Sequence, residues 1–217
     1  ELRYKYTPFA PDGNRMLFIV EDGDEVSLYT YTPGKDHADS IVYRVENMWY
    51  EFSPDGDRIG VDAYEDGEGR VLVMDNDGEN QVSLLNRAPG WIWLDWLPNG
   101  SQLGLKLEDE GELSLLITDD QGEEQFTIVN QMDGVDYIVS SEGDRLAYAV
   151  EDRGSWDVYV GGVDGSDSTR LAGGLADVSL LGFAPDGEQL LMQASTDGYL
   201  YDLYLMETDG ASRVTLA

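Results

Sequence analysis

The chain has 217 residues, no cysteine, and 44 acidic against 13 basic residues, a formal net charge of −31. That balance excludes a nucleic-acid partner, because phosphate binding needs clustered Lys and Arg. The absence of Cys excludes a disulfide framework and a Cys-based zinc site. No apolar run approaches the roughly 18 residues of a membrane span, so no membrane span is expected. Hydrophobic content of 41% is that of a folded domain, expected here as a single one over residues 1–217. The chain opens on Glu1 rather than Met, as a processed or trimmed N-terminus would. Its three lysines, Lys5, Lys35 and Lys106, leave two readings of the acidity: a solvated surface with acidic turns, or adaptation to high salt.

Five repeats follow one another, over residues 1–46, 47–89, 90–133, 134–176 and 177–217. The first carries Phe9-Ala-Pro-Asp-Gly13 and the second Phe52-Ser-Pro-Asp-Gly56. The third has the weaker copy Trp96-Leu-Pro-Asn-Gly100, the fourth Val139-Ser-Ser-Glu-Gly143, and the fifth Phe183-Ala-Pro-Asp-Gly187. The closing glycines at 13, 56, 100, 143 and 187 are spaced by 43, 44, 43 and 44 residues, the mark of one supersecondary unit copied five times. In the second repeat Met48–Phe52 reads as a short aromatic strand, Pro54-Asp-Gly56 as a turn, and residues 57–64 as a second strand. Glu65-Asp-Gly-Glu-Gly69 reverses the chain as a hairpin, Arg70–Met74 is a third strand, Asn76-Asp-Gly78 turns again, and Asn80–Leu85 is the fourth. Gly23, Gly67, Gly111, Gly154 and Gly198 mark the hairpin turn in all five copies. Gly34, Gly78, Gly122, Gly165 and Gly210 mark the last turn. Glycines this dense leave no room for a helix of ordinary length. The expected fold is an all-β propeller of five four-stranded antiparallel blades.

The phrase Phe52-Ser-Pro-Asp-Gly-Asp-Arg-Ile59, followed by Val71-Leu-Val-Met-Asp-Asn-Asp-Gly78, resembles the repeat of TolB-type, WD40-like β-propellers. The fifth repeat shows it again in Leu203-Tyr-Leu-Met-Glu-Thr-Asp-Gly210. The resemblance covers nearly the whole chain. It departs at Ser141-Glu142, where the repeat has Pro-Asp, and at Asn99, where it has Asp. The family includes periplasmic partner-binding proteins, sensor ectodomains, and the propellers that gate prolyl-oligopeptidase-type enzymes. It implies a periplasmic, cell-surface or extracellular binding protein. The chain also begins and ends at nearly matching points of the repeat, with no blade shared between the termini. Three arrangements stay open: a ring closed by packing, part of a longer propeller, or end blades that pack on neighbouring copies.

No constellation for catalysis is present. The single histidine, His37, sits in a polar loop, and no Gly-x-Ser-x-Gly elbow occurs; the chain is expected not to be an enzyme and to need no cofactor. Calcium is the one ion considered, at Asp75-Asn-Asp-Gly-Glu-Asn80. The loop fails the EF-hand pattern, with Gly fourth and Asn86 twelfth, and reads as an Asx turn. Two surfaces are candidates for a protein, peptide or glycan partner. One is an acidic crown of hairpin turns, including Glu65, Asp66, Glu108 and Asp109. The other is aromatic. Three residues before the anchors Phe9, Phe52, Trp96, Val139 and Phe183 stand Tyr6, Trp49, Trp93, Asp136 and Leu180. Five before stand Tyr4, Asn47, Trp91, Gly134 and Val178. Strand alternation puts both positions on one side, so the first three repeats present aromatics that the last two lack. Packing between repeats is the competing reading of these rings, and a core role is expected for Phe9, Phe52, Trp96 and Phe183. Besides the binding module, two alternatives stand: a structural subunit that self-associates through its end blades, and an accessory propeller of a larger enzyme or receptor.

Overall fold

The computed structural model describes residues 8–216. Every regular element among them is a β-strand, and no helix is long and apolar enough to cross a membrane. The first sheet is β1 (Met16–Asp22), β2 (Glu25–Tyr31) and β3 (Asp39–Val45). The second is β4 (Asn47–Phe52), β5 (Arg58–Glu65), β6 (Glu68–Asp75) and β7 (Val82–Pro89). The third is β8 (Trp91–Trp96), β9 (Gln102–Asp109), β10 (Glu112–Asp119) and β11 (Gln125–Met132). The fourth is β12 (Gly134–Val139), β13 (Arg145–Asp152), β14 (Ser155–Gly162) and β15 (Thr169–Leu175). The fifth is β16 (Asp177–Phe183), β17 (Gln189–Ser195), β18 (Asp202–Glu207) and β19 (Arg213–Thr215). In each sheet neighbours in space are neighbours in sequence, which is what tight turns between short strands enforce. Among the described residues only the first sheet departs from four strands. There an isolated antiparallel bridge, Phe9 to Met16, stands where the first strand was expected.

The turns obey the chemistry of their residues. The Gly56 N–H donates to the Ser53 carbonyl at 2.8 Å, and the Ser53 N–H to the Arg58 carbonyl at 3.0 Å. The Asp55 carboxylate accepts from the Ser53 hydroxyl at 2.6 Å and from the Asp57 N–H at 3.1 Å. The hairpins Asp66-Gly67, Glu110-Gly111 and Arg153-Gly154 put both central residues at positive φ, the two-residue turn whose twist suits the strands it joins. In the first sheet's hairpin, Gly23-Asp24, only the glycine has positive φ, and in the fifth six residues, 196–201, join β17 to β18.

The chain divides into two compact units. The first comprises residues 1–96, 100–109 and 118–125 and the second comprises residues 97–99, 110–117 and 126–217. In the first, Leu17, Leu28, Met48, Tyr50, Phe52, Ile59, Val61 and Met74 share one core. In β5 every residue from Ile59 to Tyr64 is buried. A strand covered on both faces carries a continuous apolar run rather than an alternation. Gly60 and Gly69 are small because the next sheet sits on them. A Cβ at Gly60 would lie 2.9 Å from Leu94 Cδ2, and one at Gly69 would lie 2.7 Å from Ile92 Cδ1. The second unit has cores of the same kind, around Leu115 and Leu146 and around Val158, Leu190 and Met192. Of the expected core anchors, Phe52 and Trp96 are buried and Phe183 is half-buried. Phe9 is 54% exposed, since one bridge to Met16 provides no covering neighbour.

A polar link joins successive sheets inside each unit. Two residues after the turn glycine, Arg58 donates to Asp120 at 2.9 Å and lies 3.5 Å from Asp75. Arg15 lies 3.6 Å from Asp77. In the second unit the equivalent Arg145 donates to the Thr208 hydroxyl at 2.7 Å.

Candidate functional site

The first unit gathers aromatic residues on the open face of its first strands. Along β4 and β8 the alternation is strict. Met48, Tyr50 and Phe52 are buried while Trp49 and Glu51 are exposed; Ile92 and Trp96 are buried while Trp91, Trp93 and Asp95 are exposed. Exposure is 36% for Trp49, 48% for Trp91 and 44% for Trp93, large values for the side chains that gain most from burial. Trp49 meets Trp91 edge to face, with centroids 6.0 Å apart and planes at 73°. Tyr64 lies beneath both, 5.8 Å from Trp49 and 5.1 Å from Trp91. Its hydroxyl donates to the Ile92 carbonyl at 3.0 Å and accepts the Ile92 N–H, tying β5 to β8, and burial pushes its pKa up. The Lys106 ammonium stands over the Trp93 ring, 5.0 Å from its centroid. It gets there because Trp93 and Lys106 are cross-strand partners.

Under Trp49 lies a carboxyl that was not expected. Asp62, 4% exposed, faces Trp49 across the β4–β5 ladder and accepts the Trp49 N–H at 2.8 Å. Burial pushes its pKa up to about 7, with a smaller rise from the Asp95 charge, against the lowering effect of the Trp49 N–H. The carboxyl therefore titrates near neutrality. Nothing in the sequence marked Asp62 among 44 acids except its place in an otherwise apolar strand.

The expected site residues fall into three groups. Trp49, Trp91 and Trp93 come together, and Glu108 faces Trp91 as its ladder partner. Asp109 follows Glu108 at the strand end, and Glu65 and Asp66 occupy the β5–β6 hairpin, with Asp66 at a φ of 53°. Tyr4 and Tyr6 lie outside the described residues. Asp136 belongs to the second unit, is exposed, and accepts the N–H of Tyr137 at 3.0 Å. The equivalences expected in the fifth repeat are corrected. A bulge between Leu180 and Gly182 shifts the register, so the residue matching Trp49 is Ser179, and the one matching Asn47 and Trp91 is Asp177. Leu180 and Val178 are buried because they occupy core positions.

The acidic hairpins are partly answered within their own sheets. Bulges in β3 and β7 put Arg44 and Arg87 at positive φ. Arg44 reaches Asp22 at 3.5 Å and Glu25 at 3.3 Å, and Arg87 reaches Glu68 at 2.9 Å. At the loop considered for calcium, the Gly78 N–H donates to the Asp75 carbonyl at 2.9 Å, and the Glu79 N–H donates to Asp77 at 3.0 Å. Arg58 and Arg15 face the Asp75 and Asp77 carboxylates, which makes the loop a turn clamped by guanidinium groups. Among the described residues no group of three metal-ligating side chains converges. His37 is exposed, 3.5 Å from Asp39. In the second unit a cleft of about 260 Å³ is lined by Asp144, Arg145, Gly161, Gly162 and Ser166. Its guanidinium is engaged with Thr208.

No protein-family model and no curated protein matches the sequence. Solved structures do. TolB from Acinetobacter baumannii superposes with a TM-score of 0.53 at 19% identity, over 95% of this chain and 52% of that one. A protein described as a TolB from Agrobacterium tumefaciens gives 0.55 at 18% identity, over 96% of this chain and 78% of that one. Prolyl oligopeptidase B from Galerina marginata gives 0.61 at 12% identity, over 96% of this chain and 33% of that one. The chain thus spans about half the length of the first of these and a third of the last. Sequence phrase, all-β sheets of consecutive strands and structural likeness agree: the chain has the fold of the TolB-like β-propellers.

Proposed function

We propose that the chain is a non-enzymatic binding module, a five-bladed propeller of the cell envelope or extracellular space, whose contact face is the Trp49–Trp91–Trp93 surface of the first unit. One observation carries this reading. Three tryptophans are exposed on adjacent first strands, whereas the positions matching Trp49 and Trp93 in the second unit hold Asp136 and Ser179. Exposed, rigidly held aromatics are the residues that dominate protein recognition energetics. The absence of Cys and the exposed loop position of the lone His37 support a role without catalysis. The TolB likeness supports the envelope location.

The test is site-specific photocrosslinking. Benzoylphenylalanine placed at Trp93 or Trp91 is expected to give a discrete adduct in extracts of the native cell, and none at Tyr43 on β3. Adducts of equal yield at all three positions, or none at any, would sink the reading. The prolyl oligopeptidase B likeness favours a second reading, the accessory propeller of a larger enzyme. A gene that continues into a catalytic domain would establish it.

A further inference from the structure

The binding face has a chemistry that selects among partners. Along β8, Trp91, Trp93 and Asp95 stand at alternate positions, and along β4, Trp49 and Glu51 do, a spacing of roughly 6.8 Å. The indoles are bounded by carboxylates at both ends. Glu108 faces Trp91 across the ladder and Asp109 follows it; at the other end Glu51 accepts the Trp96 N–H at 3.1 Å, and Asp95 is close enough to Asp62 for its charge to be felt there. The structure also shows what such a ring takes. One of the chain's three lysines, Lys106, holds its ammonium 5.0 Å from the Trp93 centroid. A cation over an indole face, flanked by carboxylates, is attracted by the ring quadrupole and by the charges together. The rings do not suit a sugar equally well: Trp49 and Trp91 meet at 73° and offer no common plane on which pyranose rings could lie.

We propose that the Trp49–Trp91–Trp93 face binds an extended basic segment of a partner protein, with Arg or Lys side chains at alternate positions seated on the indoles between the flanking carboxylates. This rests on the reading of that face as the contact surface and adds the identity of what it takes. An extended segment repeats on one side at the same roughly 6.8 Å as the strand beneath it, so alternate cations meet successive indoles. The formal charge of −31 draws such a segment from a distance. The tryptophans, in contact, decide where it stops. Lys106 is the internal competitor for the Trp93 site.

The experiment uses the whole chain in 0.15 M NaCl with two peptides of identical composition and charge, each built from four arginines and four threonines and capped by acetyl and amide groups. In one the two residue types alternate; in the other all the arginines precede all the threonines. Calorimetry and tryptophan fluorescence report binding. The alternating peptide is expected to bind more tightly than the block peptide. W91A and W93A are each expected to weaken it roughly tenfold. K106A is expected to tighten it more than K35A, which removes the same charge elsewhere. K106A leaves all three tryptophans in place, so the proposal stays testable if a Trp variant fails to fold. Equal affinity for the two peptides, equal effects of K106A and K35A, or full binding by W91A and W93A would reduce the attraction to diffuse charge and overturn the proposal. Quenching of the same tryptophans by a chito-oligosaccharide, with no response to the alternating peptide, would also overturn it, while leaving the face a binding surface. Crosslinking that shows no partner at Trp91 or Trp93 removes that surface itself.

Discussion

The first strands of the two units differ on one face and agree on the other. In β4 and β8 the buried positions hold Met48, Tyr50, Phe52, Ile92 and Trp96; in β12 and β16 they hold Val135, Val178 and Leu180. All are apolar, because they close a core whose contacts contribute about 1.5–3 kcal/mol per large side chain. The open positions diverge: Trp49, Trp91 and Trp93 in one unit, Asp136, Asp177 and Ser179 in the other. Folding constrains the first set and leaves the second free. The contrast continues one layer down. Trp49 stands across from Asp62, whereas Asp136 stands across from Ala149 and Ser179 from Gln193. The sheet-linking arginine meets carboxylates in the first unit and a hydroxyl in the second. The first unit thus keeps buried charge beneath an aromatic surface where the second keeps neutral groups beneath a polar one, and the cost of that choice can be measured.

The largest expected effect is at Asp62. Its folded pKa of about 7 lies above the ordinary carboxylate value, so between the two values the folded state holds a proton that the unfolded state has released. Stability therefore falls as pH rises from about 4 to about 7 and stays low above. Asp62→Asn keeps an acceptor for the Trp49 N–H without the charge. It is expected to exceed the parent in stability by an amount that grows from near zero below pH 4 to on the order of 4 kcal/mol at pH 9. Urea unfolding of the two proteins across that range measures it. A difference independent of pH would mean the carboxyl stays ionised.

Next comes the arginine link. Arg58 is mostly buried, and its Nη2 has no hydrogen-bond partner. Removing it leaves Asp75 and Asp120 facing each other's charge. Arg58→Met is expected to cost about 3 kcal/mol. Arg145→Met in the second unit, which breaks a bond to a hydroxyl, is expected to cost about 1 kcal/mol. Equal denaturation midpoints for the two variants would erase the distinction. Tyr64→Phe should follow at about 2 kcal/mol, because it strands the Ile92 N–H and carbonyl. Its near-ultraviolet dichroism should change as the Trp49–Trp91 pair loses its support. An unchanged spectrum would show that the indoles hold their geometry without the hydroxyl.

Much of this was readable from the residues. Turn glycines every 43 or 44 positions located the five sheets, and Trp49, Trp91 and Trp93 stood out because strand alternation is a local rule. What escaped depended on long-range contact. The bulge at Leu180–Gly182 adds one residue inside a strand, and an alignment by turn glycines cannot tell which side of the bulge a residue falls on. Asp62 is one acid among many until the fold buries it. Arg15, Arg58 and Arg145 all recur two residues after a turn glycine, a signal present in the sequence, but their partners sit in the next sheet. Gly60 and Gly69 are small for the same reason, since Leu94 and Ile92 fill the space a Cβ would take.

The smallest predicted effect tests whether the ring chemistry attributed to the first unit is present in the free protein. Trp93 and Lys106 are cross-strand partners on that face, with the ammonium 5.0 Å from the ring centroid. An exposed cation–π pair is worth about 0.5–1 kcal/mol. Trp93→Leu and Lys106→Met, singly and together, form a double-mutant cycle in which apolar replacements keep the strand covered. The expected coupling is about 0.5 kcal/mol and should persist in 0.5 M NaCl, because the ammonium sits directly on the ring face, 5.0 Å from its centroid, and leaves no room for an ion between them. The same cycle on Trp91 with Lys106, which are not cross-strand partners, should give none. Coupling that vanishes with salt would reassign the attraction to the surrounding carboxylates and leave Trp93 a bystander. Coupling that survives makes Trp93 a cation seat before any partner arrives, and no equivalent pair can be built in the second unit without first replacing Asp136 or Ser179.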